Sequence, residues 1–192
     1  MLVRTGAAVA VLVGAGLLAA GCSSPPGALA SAGGGIVAVG AENEYANVIS
    51  QIGGKYVHVT AILDNPNTDP HTFESSPSVS QAVSAAQLVV QNGVGYDTFM
   101  NKIEAAAPNP KRKVIDVQTL RHLPDSTPNP HLWYAPATMP AVAKAIAAGL
   151  AALQPAHAAV FRANLARFDA SLRMLANHPG GRWHVNLMRQ VS

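Results

Sequence analysis

The chain has 192 residues, of which 49% are hydrophobic and 12% charged, and its formal net charge is +3. This length allows one folded domain, or a domain with part of a second. The basic residues are scattered apart from the cluster at 111–113, which argues against an extended nucleic-acid-binding surface, so we expect no nucleic-acid partner.

Residues 1–22 are predicted to be an export signal that ends in a lipidation site. Arg4 gives the segment a positive start, and residues 7–20 form an apolar run that is too short for a convincing membrane-spanning helix. The run leads to Cys22, the only cysteine, which follows a small residue as in a bacterial lipobox. Ala19 stands where the usual lipobox has leucine. We expect an exported protein with lipid on Cys22. The alternative is an ordinary signal peptide with an incidental cysteine. With a single cysteine, no disulfide can form within the chain.

Residues 23–35 are rich in Ser, Pro, Gly and Ala, a composition that predicts a flexible tether. Residues 36–135 then alternate between short apolar runs, typical of buried strands, and stretches with helical spacing of apolar residues. Strands are predicted at 36–39, 57–63, 88–90 and 114–117, and helices at 42–52, from Pro77 after a capping Ser76, and at 96–107. This order predicts an α/β lobe with a four-stranded parallel sheet and helices on both faces.

Residues 136–176 are predicted to form a long linker helix. Apolar residues at helical spacing make one stripe before and after Pro155, which is expected to kink or break the helix. Residues 177–192 show no helix or strand period and are predicted to be an irregular tail.

Two turns of similar sequence place histidines after strands. Asp-Pro-His at 69–71 follows the second predicted strand, and Asn-Pro-His at 129–131 follows the fourth. The residue before a proline is pushed into extended backbone, so each imidazole is held on a stiff loop. Ligands of parallel sheets bind at the carboxyl ends of the strands, so His71 and His131 are expected at one edge of the sheet. Imidazole is the commonest side-chain ligand for transition metals. These two residues therefore predict a metal site, with a buried or surface structural histidine as the alternative.

Other polar residues give weaker signals. Five further histidines are interpreted as structural or surface residues: His58, His122, His157, His178 and His184. Glu42 and Glu44 follow the first strand and could face the same cleft, but a role in starting the next helix is favoured. The chain has no nucleophile elbow, glycine-rich phosphate loop or His-Glu-x-x-His helix, so an enzyme is not predicted.

Several motifs together resemble the metal-binding lipoproteins of ABC transporters, the cluster A-I solute-binding proteins for zinc and manganese. The motifs lie at 69–77, 89–96, 129–136 and 154–164. The resemblance implies two α/β lobes joined by one rigid helix, with the metal ion clamped between them. It implies that His71 and His131 are the two ligands from the first lobe, and that the ion passes to an ABC permease.

The sequence resembles such a protein cut off after its inter-lobe helix, with the second lobe, which provides the remaining ligands in this family, missing. We therefore expect a weak, incomplete zinc or manganese site and impaired metal capture. Exposed apolar surface on the linker helix and cleft would favour self-association. The resemblance places the protein on the outer face of the bacterial cytoplasmic membrane, anchored by lipid. The alternative function is a surface adhesion or interaction lipoprotein, and a secreted enzyme is a third hypothesis.

Overall fold

A computed structural model of the protein describes residues 34–65 and 67–177. Four strands form one sheet in the order β2-β1-β3-β4, and all neighbouring strands are parallel. The strands are β1 (Ile36–Glu42), β2 (Val57–Leu63), β3 (Leu88–Gln91) and β4 (Lys113–Asp116). The predicted parallel sheet is confirmed. The predicted export signal with Cys22, nearly all of the tether, and residues 178–192 with His178 and His184 lie outside the described residues.

Helices cover both faces of the sheet, as predicted. The described α-helices are α1 (Asn43–Gly53), α2 (Pro77–Ala85), α3 (Thr98–Ala106), α4 (Val117–Leu120), α5 (Thr138–Leu153) and α6 (Ala158–Asn177). Short 3-10 helices lie at Gly54–Tyr56, Leu132–Tyr134 and Pro155–His157. Within the described part of the chain, no helix is both long enough and apolar enough to cross a membrane.

The central strand β1 contributes to two cores because its side chains alternate between the faces of the sheet. Ile36 and Ala38 pack into the core that contains α1, α5 and α6. Val39 and Ala41 pack into the core that contains α2 and α3. Every residue of β3 is buried as well. Burial on both faces explains why these strands are continuous apolar runs in the sequence.

Several elements begin or end away from their predicted positions. β1 continues past Val39 because its pairing with β2 extends to Glu42, which lies opposite Leu63. β4 ends at Asp116, whose carboxylate accepts a hydrogen bond from the Thr119 N–H at 2.7 Å. That cap starts α4, a short helix that the sequence analysis did not predict. The start of α2 is confirmed, with the Ser76 hydroxyl as its cap and Pro77 as its first residue.

The helical segment after the sheet is divided into two helices at Pro155, where the sequence predicted a kink or a break. Gln154 (φ −134°, ψ 80°) leaves the helical region directly before Pro155, so α5 ends and a 3-10 turn leads into α6. The ring of His157 stacks on Tyr56 at 3.9 Å, and Phe161 behind it is fully buried. The turn thus brings α6 back onto the same core that α5 covers.

Candidate metal-binding site

The two Pro-His segments form the same kind of turn. The Asp69 carboxylate accepts a hydrogen bond from the backbone N–H of His71 at 2.9 Å. The Asn129 side-chain oxygen accepts one from the backbone N–H of His131 at 3.0 Å. Such side-chain-to-backbone bonds, spanning two residues, are Asx turns. The residue before each proline therefore fixes the backbone of the histidine that follows it.

The ring of His131 is held in one tautomer. Its Nδ1 lies 3.0 Å from the Asn129 side-chain oxygen, the same atom that accepts the backbone N–H of His131. An amide oxygen can only accept, so Nδ1 carries the proton and the Nε2 lone pair is available for a metal ion. Three aromatic rings surround the imidazole, with centroids 5.2 Å (Tyr96), 5.3 Å (Trp133) and 6.0 Å (Tyr134) away.

The Tyr96 ring is a neighbour of both candidate ligands. Its ring centroid is 5.2 Å from that of His131 and 6.3 Å from that of His71. His131 is half-buried, whereas His71 is exposed. Both histidines thus lie at the carboxyl edge of the sheet, as predicted, while their role as metal ligands remains a prediction. Across residues 34–65 and 67–177, no group of three His, Cys, Asp or Glu side chains is placed to hold one metal ion.

A cavity of about 240 Å³ opens beside His131 at this edge of the sheet. Its lining combines acidic, amide and aromatic side chains: Glu42, Asn43, Glu44, Leu63, Asn65, Thr68, Tyr96, His131, Trp133 and Tyr134. The lining comes from the end of β1 and the first turn of α1, from the end of β2 and the loop after it, from the loop after β3, and from the segment after α4 that carries His131. His131 lines the cavity directly. His71 packs against the ring of Tyr96, which also lines the cavity.

The structure corrects the favoured role of Glu42. This residue precedes α1, but its side chain makes no capping hydrogen bond. It is only 2% exposed, and its two carboxyl oxygens have no hydrogen-bond partner among the described residues. Burial raises the pKa of the Glu42 carboxyl well above its usual range, and repulsion from Asp97 adds to this. Glu42 therefore belongs to the cavity wall, and the sequence signal for it was a glutamate directly after a buried strand.

Asp97 is a second buried carboxyl that the sequence analysis missed. It lies at the start of α3 but makes no cap there; instead it accepts hydrogen bonds from the backbone N–H groups of Asn92 (2.6 Å) and Gly93 (2.9 Å). Burial raises the pKa of Asp97, and these two hydrogen bonds oppose the rise. Because Gly93 has φ +81°, the turn after β3 needs glycine at this position.

The remaining described histidines lie where a structural or surface role was predicted. His58 is exposed near the start of β2, at the opposite edge of the sheet from the cavity. His122 is exposed in the loop after α4. His157 stacks on Tyr56. None of them lines the cavity beside His131.

Comparison with known proteins gives a family match over most of the chain. Residues 39–178 match the family described as "Zinc-uptake complex component A periplasmic". The manganese-binding lipoprotein MntA of Bacillus subtilis is 26% identical over 144 residues, which are 69% of this chain and 45% of MntA. A putative metal-binding protein of Thermotoga maritima is 28% identical over 94 residues, 49% of this chain and 33% of the relative.

Solved structures share the fold. The Mn-bound periplasmic metal-binding protein of Candidatus Liberibacter asiaticus superimposes with a TM-score of 0.64 at 20% identity, covering 73% of this chain and 54% of that one. Zn(II)-bound AdcA of Streptococcus pneumoniae gives a TM-score of 0.61 at 21% identity, covering 74% and 31%. The chain thus spans about half the length, or less, of the proteins that it matches. With the family match covering most of the chain and the sheet topology shared, this protein belongs to the family of periplasmic zinc-uptake component A proteins.

Proposed function

We propose that this chain captures a divalent transition metal ion, zinc or manganese, as the solute-binding component of an ABC importer. The ion is its cargo, which it passes to a membrane permease. Family membership and the metal-binding relatives support this proposal. The single observation that carries it is the convergence of two Asx-Pro-His turns on Tyr96 at the carboxyl edge of a parallel sheet.

We assign the two protein ligands to His71 and His131. In His131 the Asn129 oxygen holds the Nδ1 proton, which leaves Nε2 to donate to the ion. His71 is exposed on a loop fixed at its backbone, so its ring can turn toward an ion beside Tyr96.

The chain by itself is expected to bind the ion weakly. Zinc sites normally use four ligands, or three with an open position, and the described residues provide no group of three His, Cys, Asp or Glu side chains for one ion. Two imidazoles also leave the charge of a divalent ion uncompensated. Affinity well short of nanomolar is therefore the expected result, and water would complete the coordination.

Isothermal titration of the purified chain with Zn²⁺ and Mn²⁺ tests this proposal. His71→Ala and His131→Ala should each weaken binding, and the double variant should abolish it. His58→Ala is the matched control, because His58 is an exposed histidine at the opposite edge of the sheet and should bind like wild type. A nanomolar site in the wild-type chain would refute the incomplete site, and unchanged binding in the double variant would refute both ligands.

The proposal includes export and a lipid anchor on Cys22. Two matched relatives are named lipoproteins, which supports it. Expression in a bacterial host followed by membrane fractionation and mass spectrometry should find Cys22 acylated and the chain on the outer face of the cytoplasmic membrane. Cys22→Ser should move the chain out of the membrane fraction, and equal membrane retention of both forms would refute the anchor.

Self-association through α6 is part of the same proposal. Met174 and Leu175 are 69% and 64% exposed near its carboxyl end, which supports a contact with a second copy of the chain. Sedimentation at increasing concentration should show association in the wild type and less in a Met174→Ser, Leu175→Ser variant. The control is Arg173→Ser, an exposed polar change on the same helix. A monomer at all concentrations would refute it.

A further inference from the structure

The first residue after β3, Asn92, is fully buried and connects three parts of the site edge. Its side-chain oxygen accepts a hydrogen bond from the Tyr45 hydroxyl at 2.7 Å. Its side-chain nitrogen donates to the backbone oxygen of Pro130 at 2.7 Å and to that of Gly93 at 3.0 Å. The neighbours themselves fix this orientation of the amide, because a backbone carbonyl can only accept.

The hydrogen bond from Asn92 to the Pro130 oxygen acts on the loop that carries His131. The Pro130 carbonyl belongs to the peptide unit that enters His131, and it also accepts the Leu132 N–H at 2.9 Å. A planar peptide moves as one unit, so a displaced Pro130 oxygen rotates the backbone on which the imidazole stands. Asn129 orients the His131 ring within the loop, whereas Asn92 ties the loop to the sheet.

The side chain and the backbone of Asn92 make separate sets of hydrogen bonds. The backbone N–H donates to Asp97, and the backbone oxygen accepts from the Gln118 N–H at 3.0 Å. These bonds shape the turn after β3 and would survive a change of side chain. The side-chain amide, by contrast, spans the gap between α1, through Tyr45, and the His131 loop, through Pro130.

We propose that Asn92 is a positioning residue for metal capture: its buried amide sets the place of the His131 imidazole relative to the sheet. The inference rests on the proposed function of His131 as a ligand. Outer hydrogen-bond partners of metal ligands commonly contribute about 10–100-fold to metal affinity. Asn92 acts one step further out than Asn129, and it acts on the backbone rather than on the ring.

Two substitutions separate positioning from packing. Asn92→Leu keeps the branching and the number of heavy atoms of the side chain and removes its three hydrogen bonds. Asn92→Asp keeps the acceptor for Tyr45 but places a carboxylate oxygen where the donor to Pro130 was. Gln91→Met is the matched control, since Gln91 is the neighbouring buried residue and its amide donates to Asn101 (3.4 Å) and Asp116 (3.2 Å), away from the His131 loop.

Two measurements decide the proposal. The first is the imidazole ¹⁵N–¹H spectrum of the metal-free full chain, in which the His131 signals should shift in both Asn92 variants while those of His58 stay unchanged. The second is Zn²⁺ titration, in which both variants should lose about 10-fold or more in affinity. Gln91→Met should match wild type in both measurements.

Unchanged His131 signals in Asn92→Asp would overturn the proposal, and this variant decides alone if Asn92→Leu does not fold. Shifted His131 signals in Gln91→Met of the same size would also overturn it, because the effect would then be general packing. The spectra need no metal ion. If wild-type and His131→Ala chains titrate alike, the proposed function of His131 fails while the spectra still decide the position of its ring.

Discussion

The contact between Gly40 and α1 gives the sharpest prediction about the site edge. Gly40 lies within β1 where α1 crosses the strand, and a Cβ added there would lie 2.4 Å from the Ala46 backbone nitrogen and 2.7 Å from its Cα. Carbon and nitrogen atoms pack favourably at about 3.5–4.0 Å, so Gly40→Ala requires α1 to withdraw by roughly 1 Å. The atoms that must give way are backbone atoms, which cannot rotate aside.

The expected cost follows from that geometry. Overpacking of a well-packed core costs about 1–3 kcal/mol, and we expect the upper end because a whole helix must move. The same movement carries Tyr45 away from Asn92, where its hydroxyl now bonds at 2.7 Å. Gly40→Ala should therefore lower the free energy of unfolding by about 3 kcal/mol and should also weaken metal binding.

Urea unfolding followed by circular dichroism measures the first effect, and Zn²⁺ titration measures the second. Gly149→Ala in α5 is the control, because the nearest atom to its added Cβ is the flexible Leu88 Cδ1 at 3.1 Å. Its unfolding free energy should stay within about 1 kcal/mol of wild type, since alanine also favours the helix. Equal stability of the two variants would refute the close seating of α1 on β1.

Three further predictions concern charge, packing and capping. Glu42→Gln should raise the free energy of unfolding at neutral pH. Burial, and then Asp97, raise the pKa of Glu42, so the native chain holds this proton more tightly than the unfolded chain does. The wild type therefore loses stability as the pH rises above the ordinary value of 4.5. Urea unfolding from about pH 4 to 8 should show a flatter profile in the variant, and parallel profiles would contradict it. Phe161→Ala should cost about 3–5 kcal/mol in urea unfolding, because the ring is fully buried under α6; a much smaller loss would mean that α6 is not seated on the core. Ser76→Ala should cost about 1 kcal/mol in thermal unfolding through loss of the α2 cap, whereas exposed Ser84→Ala in the same helix should change little.

The sheet and the edge on which both histidines lie could be predicted from the sequence. The alternation of apolar runs with helical spacings predicted that the strands run parallel, because a helix that connects two strands of one sheet leaves few other topologies. The prolines before His71 and His131 marked the two loops. Both signals come from residues that are close together in the sequence, so they are visible before the fold is known.

The buried polar groups of the site could not be predicted in the same way. Asn92 owes its role to partners 47 and 38 residues away, and no local pattern marks such contacts. Glu42 was assigned to a helix start because the predicted helix begins there, and its burial was not expected because glutamate is almost never fully buried without a partner. The end of β1 was placed too early for a related reason, since Gly40 has no side chain to add to the strand signal.

The interruption at Gln154 also determines how movement can travel through the molecule. Since α6 folds back, Asn164 donates a hydrogen bond to the Ile52 carbonyl near the end of α1 at 2.8 Å. Phe168 of α6 lines the same groove as Asn43 and Glu44 of the first turn of α1. A pull on the far end of α6 would therefore act on α1 at two points along its length. Glu44 of α1 also lines the cavity beside His131, so a movement of α6 would shift one wall of that cavity.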